Sequence, residues 1–327
     1  MNQDPRQAAI VRWLRATLGD ADFTLETASS DASFRRYFRV TLDGHSRIVM
    51  DAPPEREACS PFLAVAERFA EAGLHVPRIE AASIEQGFLL LEDLGSTDYL
   101  HRLDAASADR LYGDALDALL QLQRNVAHDG LPPYDAALLQ RELDLFPEWY
   151  LDRHLGQPLS TARQADWQQL CRQLIDSAQA QPQVTVHRDY HARNLIVTSP
   201  NPGIIDFQDA VVGPVTYDLV SLLRDCYIAW PPAQVEAWVL GYRRRLLDAG
   251  LPAGDSDARF LRWFDWMGVQ RHLKVAGIFS RLWHRDGKRR YLDDLPLTLH
   301  YIATVAARYP ELAWLCELPG VEPLAQS

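Results

Sequence analysis

The sequence predicts an α+β fold of two lobes, a small antiparallel β lobe with one internal helix and a larger, mainly helical lobe with an embedded β-hairpin. Residues 24–51 alternate apolar and polar side chains, which is typical of half-buried strands. Beyond residue 95 the apolar residues mostly recur at intervals of three and four, as on amphipathic helices. The stretch 183–207 interrupts that helical pattern with short apolar runs. We therefore predict a β lobe over 1–95 and a helical lobe over 96–327.

The β lobe is predicted to begin with a helix and to continue mainly as strands. Asp4-Pro5 combines an N-cap residue with proline at the first helical position, and Gly19 supplies the stop. Asp43-Gly44 is typical of a two-residue hairpin turn between the first long strands. The other elements of this lobe are a helix and two strands, over residues 58–72, 75–83 and 87–95.

The helical lobe is predicted from repeated amphipathic stretches. One apolar stripe at helical spacing consists of Leu111, Ala115, Leu119 and Leu122. Further stretches of this kind cover residues 135–180, 216–228, 232–249, 257–285 and 293–308. The sequence has no internal repeat and no long flexible linker.

Composition and charge argue against several classes of protein. The net charge of −11 gives no sign of the basic face that nucleic-acid-binding proteins carry, so we expect no nucleic-acid partner. No apolar run approaches the ~18 residues of a membrane span, and the N-terminus lacks the pattern of a signal peptide. The four cysteines are scattered without metal-ligand spacing, as expected of reduced thiols. We therefore expect a cytoplasmic protein without a membrane partner, and a monomer is the favoured state.

The most polar stretch of the chain is VHRDYHARN, residues 186–194, which directly follows an apolar run. Behind it, the runs LIVT and GIIDF flank the turn formers SPNPG. A hairpin folded about Pro200 would place Asn194 opposite Asp206, with Cβ atoms about 5 Å apart. Such a pair suits Mg²⁺, which binds one or two protein oxygens and completes its shell with water and phosphate oxygens. Asp189, on the turn leading into this corner, is placed to accept a proton from a hydroxyl that attacks a metal-bound phosphate.

An H-R-D-x-x-x-x-N run followed by apolar-apolar-Asp-Phe is the paired signature of kinases, a catalytic loop and a metal-binding segment. Together with GPVTYDL, this region resembles the aminoglycoside-phosphotransferase-like kinases, the small-molecule relatives of protein kinases. The resemblance covers nearly the whole chain and implies a protein-kinase-like fold that uses ATP and Mg²⁺. The roles it implies are catalysis by Asp189, Mg²⁺ binding by Asn194 and Asp206, and support of the catalytic loop by His187 and Asp218.

The nucleotide-binding half of this pattern is less regular. By the resemblance, LEDLG is the connector whose backbone binds adenine, around Glu92 and Leu94. The loop that covers the phosphates should lie at residues 28–36, but it reads ASSDASFRR and contains no glycine. We expect the hydroxyl groups of Ser30 and Ser33, with nearby backbone N–H groups, to bind phosphate oxygens instead.

The lysine that kinases carry on the third strand is also absent, since its expected position holds Met50 and the lobe contains no lysine. Arginine would replace it. Arg35 and Arg36 are the candidates, because a guanidinium group binds phosphate in a bidentate way. A tight hairpin turn leaves an alternative for Arg36, which would lie opposite Asp51 and form a structural ion pair. The missing lysine also leaves open a non-catalytic, nucleotide-binding scaffold protein.

The segments SSDASFRRYFRV and QRHLKVAGIFSRL resemble, within that family, bacterial kinases that phosphorylate the anomeric hydroxyl of N-acetylmuramate and N-acetylglucosamine in peptidoglycan recycling. The segment 271–290 is strongly basic in an otherwise acidic chain. Its stripe at helical spacing, Arg271, Lys274, Arg281 and Arg285, is either a solvated face or a site for an anionic acceptor. Such a site disfavours a polycationic aminoglycoside and suits a carboxylate-bearing sugar. Another small alcohol, such as choline or homoserine, remains an alternative acceptor.

Residues near the transferred phosphate and in the helical lobe are expected to contact the acceptor. Glu148 and Trp149 lie in FPEWYLDRHL, where a carboxylate beside an indole ring could bind a sugar. The other expected acceptor contacts are Arg188, Gln208, Asp209 and Arg271.

Overall fold

The computed structural model describes residues 4–20, 22–29 and 35–324, and the chain divides into two compact units. The first unit comprises Met1–Thr97 and Ile196–Asp209, and the second comprises Asp98–Leu195 and Ala210–Ser327. The segment 196–209 thus belongs to the β-rich unit, although it lies far along the helical half of the sequence. A single domain boundary near residue 95 stays a prediction.

The first unit is built on a five-stranded antiparallel sheet in the order β1-β2-β3-β5-β4. Its strands are β1 (Thr24–Ser29), β2 (Arg36–Leu42), β3 (His45–Asp51), β4 (Ile79–Ser83) and β5 (Phe88–Glu92). The turn between β2 and β3 has φ angles of 50° at Asp43 and 77° at Gly44, as a two-residue hairpin turn requires. The register pairs Arg36 with Asp51, as the sequence predicts.

The helix α1 (Pro5–Leu18) packs on one face of this sheet. The side chain of Asp4 caps α1 by accepting a hydrogen bond from the N–H of Arg6 at 3.0 Å. Ile10 and Leu14 of α1 form a buried core with alternate residues of three strands, namely Phe38, Val40, Val49, Phe88 and Leu90. Because side chains alternate along a strand, Met50 points to the opposite face, where it is fully buried.

The predicted hairpin after the catalytic motif is present as two short paired strands, β7 (Leu195–Ile196) and β8 (Gly203–Ile204). Phe207, just beyond β8, is fully buried. Its ring centroid lies 4.9 Å from that of Phe62 and 5.6 Å from that of Phe69, both of α2 (Ser60–Glu71). These contacts anchor the segment after the hairpin to the first unit.

The second unit is mainly helical, as predicted. Its α-helices are α3 (Ala108–Asn125), α4 (Ala136–Leu143), α5 (Thr161–Gln179), α6 (Tyr217–Leu223), α7 (Pro232–Asp248), α8 (Asp257–His284) and α9 (Leu295–Ala306). Between α4 and α5 the chain forms a π-helix, Phe146–His154, so the amphipathic stretch 135–180 is not one helix. An antiparallel pair, β6 (Gln183–Val186) and β9 (Val211–Pro214), lies within this unit. Over the described residues, no helix combines the length and apolar character that crossing a membrane requires.

Candidate active site

The catalytic loop, residues 187–194, leaves β6 and ends in a short 3₁₀ helix, Ala192–Asn194. Asp218 of α6 is fully buried, and its carboxylate accepts hydrogen bonds from the N–H of His187 at 2.7 Å and of Arg188 at 3.0 Å. Burial raises the pKa of Asp218 to about 7, although these two N–H donors act in the opposite direction. The ring nitrogen Nδ1 of His187 accepts a bond from the N–H of Asp189 at 3.2 Å. These contacts tie the start of the loop to α6, and the bracing role of His187 and Asp218 stays a prediction.

Arg188 adopts a left-handed backbone conformation, with φ 77°. Such an angle is uncommon for a residue with a side chain and persists where surrounding contacts impose it. The guanidinium of Arg271 donates to the carbonyl oxygen of Arg188 at 2.9 Å, and the guanidinium of Arg188 donates to Glu142 at 2.6 Å. The two expected acceptor-binding residues Arg188 and Arg271 therefore both contribute to holding the catalytic loop.

The carboxyl group of Asp189 lies in a positively charged environment. Burial by itself raises its pKa, but several nearby positive charges, with Lys274 and Arg271 the largest of them, together outweigh this effect and lower the pKa to about 2. Both cations lie on α8 and are buried. Asp189 is therefore a carboxylate at neutral pH and can accept a proton.

Asn194 is oriented by the catalytic loop itself. Its side-chain Nδ2 donates to the carbonyl oxygen of Asp189 at 2.9 Å, and its N–H donates to the carbonyl oxygen of His191 at 2.9 Å. The amide oxygen is then the end of the side chain turned away from the Asp189 carbonyl. An oxygen in that orientation is the kind of ligand that Mg²⁺ binds.

Asp206 follows β8 in the first unit and also adopts a left-handed conformation, with φ 63°. Its Oδ1 accepts a hydrogen bond from Nε2 of Gln208 at 2.9 Å, and the same nitrogen lies 3.4 Å from Oδ2 of Asp209. Buried Phe207 anchors the backbone between them. This segment presents a carboxylate of the type that suits Mg²⁺. The Mg²⁺-binding role of Asn194 and Asp206 stays a prediction.

Asp225 is a supporting residue that the sequence reasoning missed. It is buried, and its carboxylate accepts hydrogen bonds from the N–H of Ala192 at 2.9 Å and of Tyr227 at 3.2 Å. The guanidinium of Arg193 lies 3.5 Å from the centroid of the Tyr227 ring. The sequence DCY carries no kinase signature, so no local pattern indicated this role.

The connector LEDLG is fixed by its central residue. Asp93 accepts a hydrogen bond from Nε of Arg39 at 2.6 Å and one from the N–H of Gly95 at 2.9 Å. The N–H of Glu92 donates to the carbonyl oxygen of Arg78 at 2.8 Å, and Leu94 is buried. The adenine-binding role of Glu92 and Leu94 stays a prediction.

The two arginine candidates for phosphate binding have different partners. Arg36 forms ion pairs with Asp51, at 2.5 Å, and with Asp4. It therefore lies on the α1 face of the sheet, opposite the face that carries Met50, and the alternative of a structural ion pair describes its contacts. Arg35 is buried and pairs with Glu57 at 2.7 Å. Ser30 and Ser33 lie outside the described residues.

The predicted basic stripe of α8 does not form one exposed face. Arg271 and Lys274 are buried, whereas Arg285 is exposed and pairs with Asp286 at 2.7 Å. The stripe predicted from spacing is thus divided between the interior and the surface of the second unit.

Glu148 and Trp149 lie in the π-helix. Glu148 is exposed and lines an open groove whose other acidic residues are Asp144 and Asp152. Trp149 is half-buried. Their acceptor-binding role stays a prediction.

The antiparallel sheet unit and the mainly helical unit with its H-R-D-x-x-x-x-N loop define a phosphotransferase with a protein-kinase-like fold. The chain belongs to the phosphotransferase enzyme family, whose model matches residues 24–288. The fold class and the family that the sequence predicts are thereby confirmed.

The comparisons with known proteins agree with this assignment. An N-acetylmuramate/N-acetylglucosamine kinase from Pseudomonas putida is 54% identical over 295 residues, which cover 90% of this chain and 87% of that protein. One from Neisseria meningitidis is 43% identical over 328 residues, covering 98% of both. The crystal structure of a choline kinase from Streptococcus pneumoniae superposes with a TM-score of 0.60 at 13% identity, covering 89% of this chain and 99% of that one. At that identity the likeness concerns the fold alone.

Proposed function

We propose that this chain is a kinase that transfers the γ-phosphoryl group of ATP to the anomeric hydroxyl of N-acetylmuramate, N-acetylglucosamine or both. The relative from Pseudomonas putida, 54% identical and named for these two sugars, carries the proposal of the acceptor. We further propose that the enzyme acts in the cytoplasm, as a monomer, in the recycling of peptidoglycan.

In the proposed reaction, Asp189 receives the proton of the acceptor hydroxyl while the oxygen of that hydroxyl forms a bond to the γ-phosphorus. The bond between that phosphorus and the bridging oxygen breaks, and ADP leaves with the electron pair. Asn194 and Asp206 would hold Mg²⁺, which supplies positive charge to the phosphate oxygens when it is bound. The rate enhancement rests on positioning and electrostatics more than on covalent chemistry.

The low pKa of Asp189 supports an acceptor whose hydroxyl is more acidic than that of an ordinary alcohol. With its pKa held at about 2, this carboxylate is a weak base. An anomeric hydroxyl is more acidic than an ordinary alcohol and requires less from such a base. The buried cations that weaken the base, Lys274 and Arg271, would also favour the negative charge that develops around the transferred group.

For the nucleotide, the N–H of Glu92 is already bonded within the sheet unit, so adenine would bind to the carbonyl of Glu92 and the N–H of Leu94. Arg35, rather than Arg36, would replace the missing lysine at the phosphates, because Arg36 is engaged with Asp51 and Asp4. Glu57 would orient Arg35 through their ion pair.

A panel of acceptors tests the proposed function. ADP release is measured with Mg·ATP and N-acetylmuramate, N-acetylglucosamine, choline, homoserine or an aminoglycoside. We expect turnover with one or both amino sugars and at least a hundredfold lower kcat/KM with the other compounds. Turnover of choline, homoserine or the aminoglycoside without either sugar would overturn the acceptor, and no turnover with any compound would favour a scaffold protein.

A further inference from the structure

The left-handed conformation of Arg188 is accompanied by contacts both to its backbone and to its side chain. Asp218 binds the N–H of Arg188, and Arg271 binds its carbonyl oxygen, so both peptide groups beside the residue are fixed. The side chain leads away from the catalytic loop to a third anchor, Oε1 of Glu142 at 2.6 Å. Glu142 lies near the end of α4, 46 residues before Arg188 in the sequence.

Both oxygens of the Glu142 carboxylate are engaged by other side chains. The same Oε1 lies 2.9 Å from Nζ of Lys274, while Oε2 accepts hydrogen bonds from the hydroxyl of Tyr134 and from Nε2 of Gln270, the latter at 3.3 Å. The side chain of Glu142 is 6% exposed and that of Lys274 is 7% exposed. Although burial acts to raise the pKa of Glu142, Lys274 and Arg188 bring it below its ordinary value, so the group is a carboxylate.

A buried charge cluster of this kind adds little net stability, because removing the charges from water costs about as much as their attraction returns. The cluster instead fixes the position of the Glu142 carboxylate. The carboxylate is oriented by Tyr134, Gln270 and Lys274, which belong to other elements than the catalytic loop. The carboxylate of Glu142 is therefore held independently of the catalytic loop and can fix the position of the Arg188 side chain.

We propose that Glu142 is a positioning residue for catalysis: through its ion pair it holds Arg188 in the left-handed conformation and so directs the carboxylate of Asp189 toward the acceptor hydroxyl. The proposal rests on the proposed function in taking Asp189 as the base. Glu142 acts through Arg188, since its carboxylate is engaged by Arg188 and Lys274. Loss of the ion pair then lowers kcat without weakening the binding of ATP.

The test compares Glu142→Gln with a matched buried ion pair elsewhere in the second unit. Arg224 and Asp265 lie 2.6 Å apart with side chains 11% and 5% exposed, and Asp265→Asn removes that carboxylate. We expect kcat of Glu142→Gln to fall roughly tenfold to a hundredfold with the KM for ATP within threefold of the wild type. For Asp265→Asn we expect kcat within threefold of the wild type and a comparable loss of thermal stability.

If Glu142→Gln does not fold, Glu142→Asp takes its place, because it keeps the negative charge beside Lys274 but shortens the reach to Arg188. Arg188→Met should lower kcat by a similar factor, and combining it with Glu142→Gln should add little, because both remove one interaction. Equal kcat losses in the Glu142 and Asp265 variants, or additive losses in the Arg188 combination, would overturn the positioning role. A wild-type enzyme that phosphorylates neither sugar would instead overturn the proposed function.

Discussion

Two buried carboxylates, one in each unit, are each held between two cations. In the Asp51 triad, the carboxylate of Asp51 lies 2.5 Å from nitrogen atoms of both Arg6 and Arg36. In the Glu142 triad, one oxygen of Glu142 lies 2.6 Å from Arg188 and 2.9 Å from Lys274. In both triads a buried carboxylate pairs with two cations, although each arginine has its own oxygen at Asp51 and the two cations share one oxygen at Glu142.

Their surroundings differ. The side chains of Arg6 and Arg36 are 29% and 39% exposed, and they tie α1 to the strands of the sheet, where the backbone is already regular. In the Glu142 triad Lys274 is buried, and Arg188 has a left-handed backbone next to Asp189. The same ionic arrangement therefore serves the fold in one unit and the geometry of the base in the other. The role of an ion pair follows from the backbone it holds, not from its own geometry.

The largest effect is expected at the base itself. Asp189→Asn removes the proton acceptor but keeps the size of the side chain, so kcat should fall by roughly a thousandfold. The melting temperature should also fall, because the buried cations Lys274 and Arg271 lose the carboxylate that they stabilise. Single-turnover rates with the best amino sugar and a thermal melt check both points, and a variant retaining a tenth of the activity would show that Asp189 is not the base.

The Asp51 triad should affect stability alone. Asp51→Asn leaves Arg6 and Arg36 without their shared carboxylate and should lower the free energy of unfolding by about 3 kcal/mol. Because this triad contacts no catalytic residue among those described, kcat should stay within twofold of the wild type. Denaturant unfolding measures the free energy of unfolding, and steady-state kinetics measure kcat. A tenfold loss of kcat would remove the contrast between the two triads.

The proposed metal-binding role of Asp206 is tested by the Mg²⁺ concentration that the enzyme requires. Asp206→Asn weakens one of the two proposed ligands, so the Mg²⁺ concentration for half-maximal activity should rise tenfold or more. Titration of Mg²⁺ at saturating ATP measures this change. An unaltered Mg²⁺ requirement would contradict the assignment.

The smallest expected effect is on the KM for ATP, and it distinguishes Arg35 from Arg36. Arg35→Met should raise the KM for ATP about fivefold to tenfold, because a bidentate phosphate contact is lost. Arg36→Met should leave that KM within twofold and lower the melting temperature instead. The reverse pattern would assign the phosphate contact to Arg36.

Much of this organisation could be predicted because its signals are local. The Asp43-Gly44 turn sets the register that pairs Arg36 with Asp51, since a two-residue turn leaves no freedom of alignment. The spacing within HRDYHARN and the hairpin after it indicated the catalytic loop and the paired strands β7 and β8 by the same kind of short-range rule. The roles of Asp189, Asn194 and Asp206 stay predictions.

The residues that were missed make contacts remote in sequence. Glu142 reaches Arg188 across 46 residues, and no spacing rule links them. Lys274 was predicted from helical spacing on one stripe with Arg285, but periodicity gives the direction of a side chain and not what packs against it. The π-helix at 146–154 departs from the periodicity of an α-helix, on which the prediction rested.

The position of the transferred phosphate tests the central claim most directly. The product formed from N-acetylglucosamine and Mg·ATP is examined by phosphorus and proton NMR, alongside a reaction in which the sugar has first been reduced to its alditol. We predict a phosphorus nucleus coupled to the anomeric proton and no phosphorylation of the alditol, which has no anomeric hydroxyl. Phosphate on another hydroxyl, or an alditol that reacts as well as the sugar, would contradict the account.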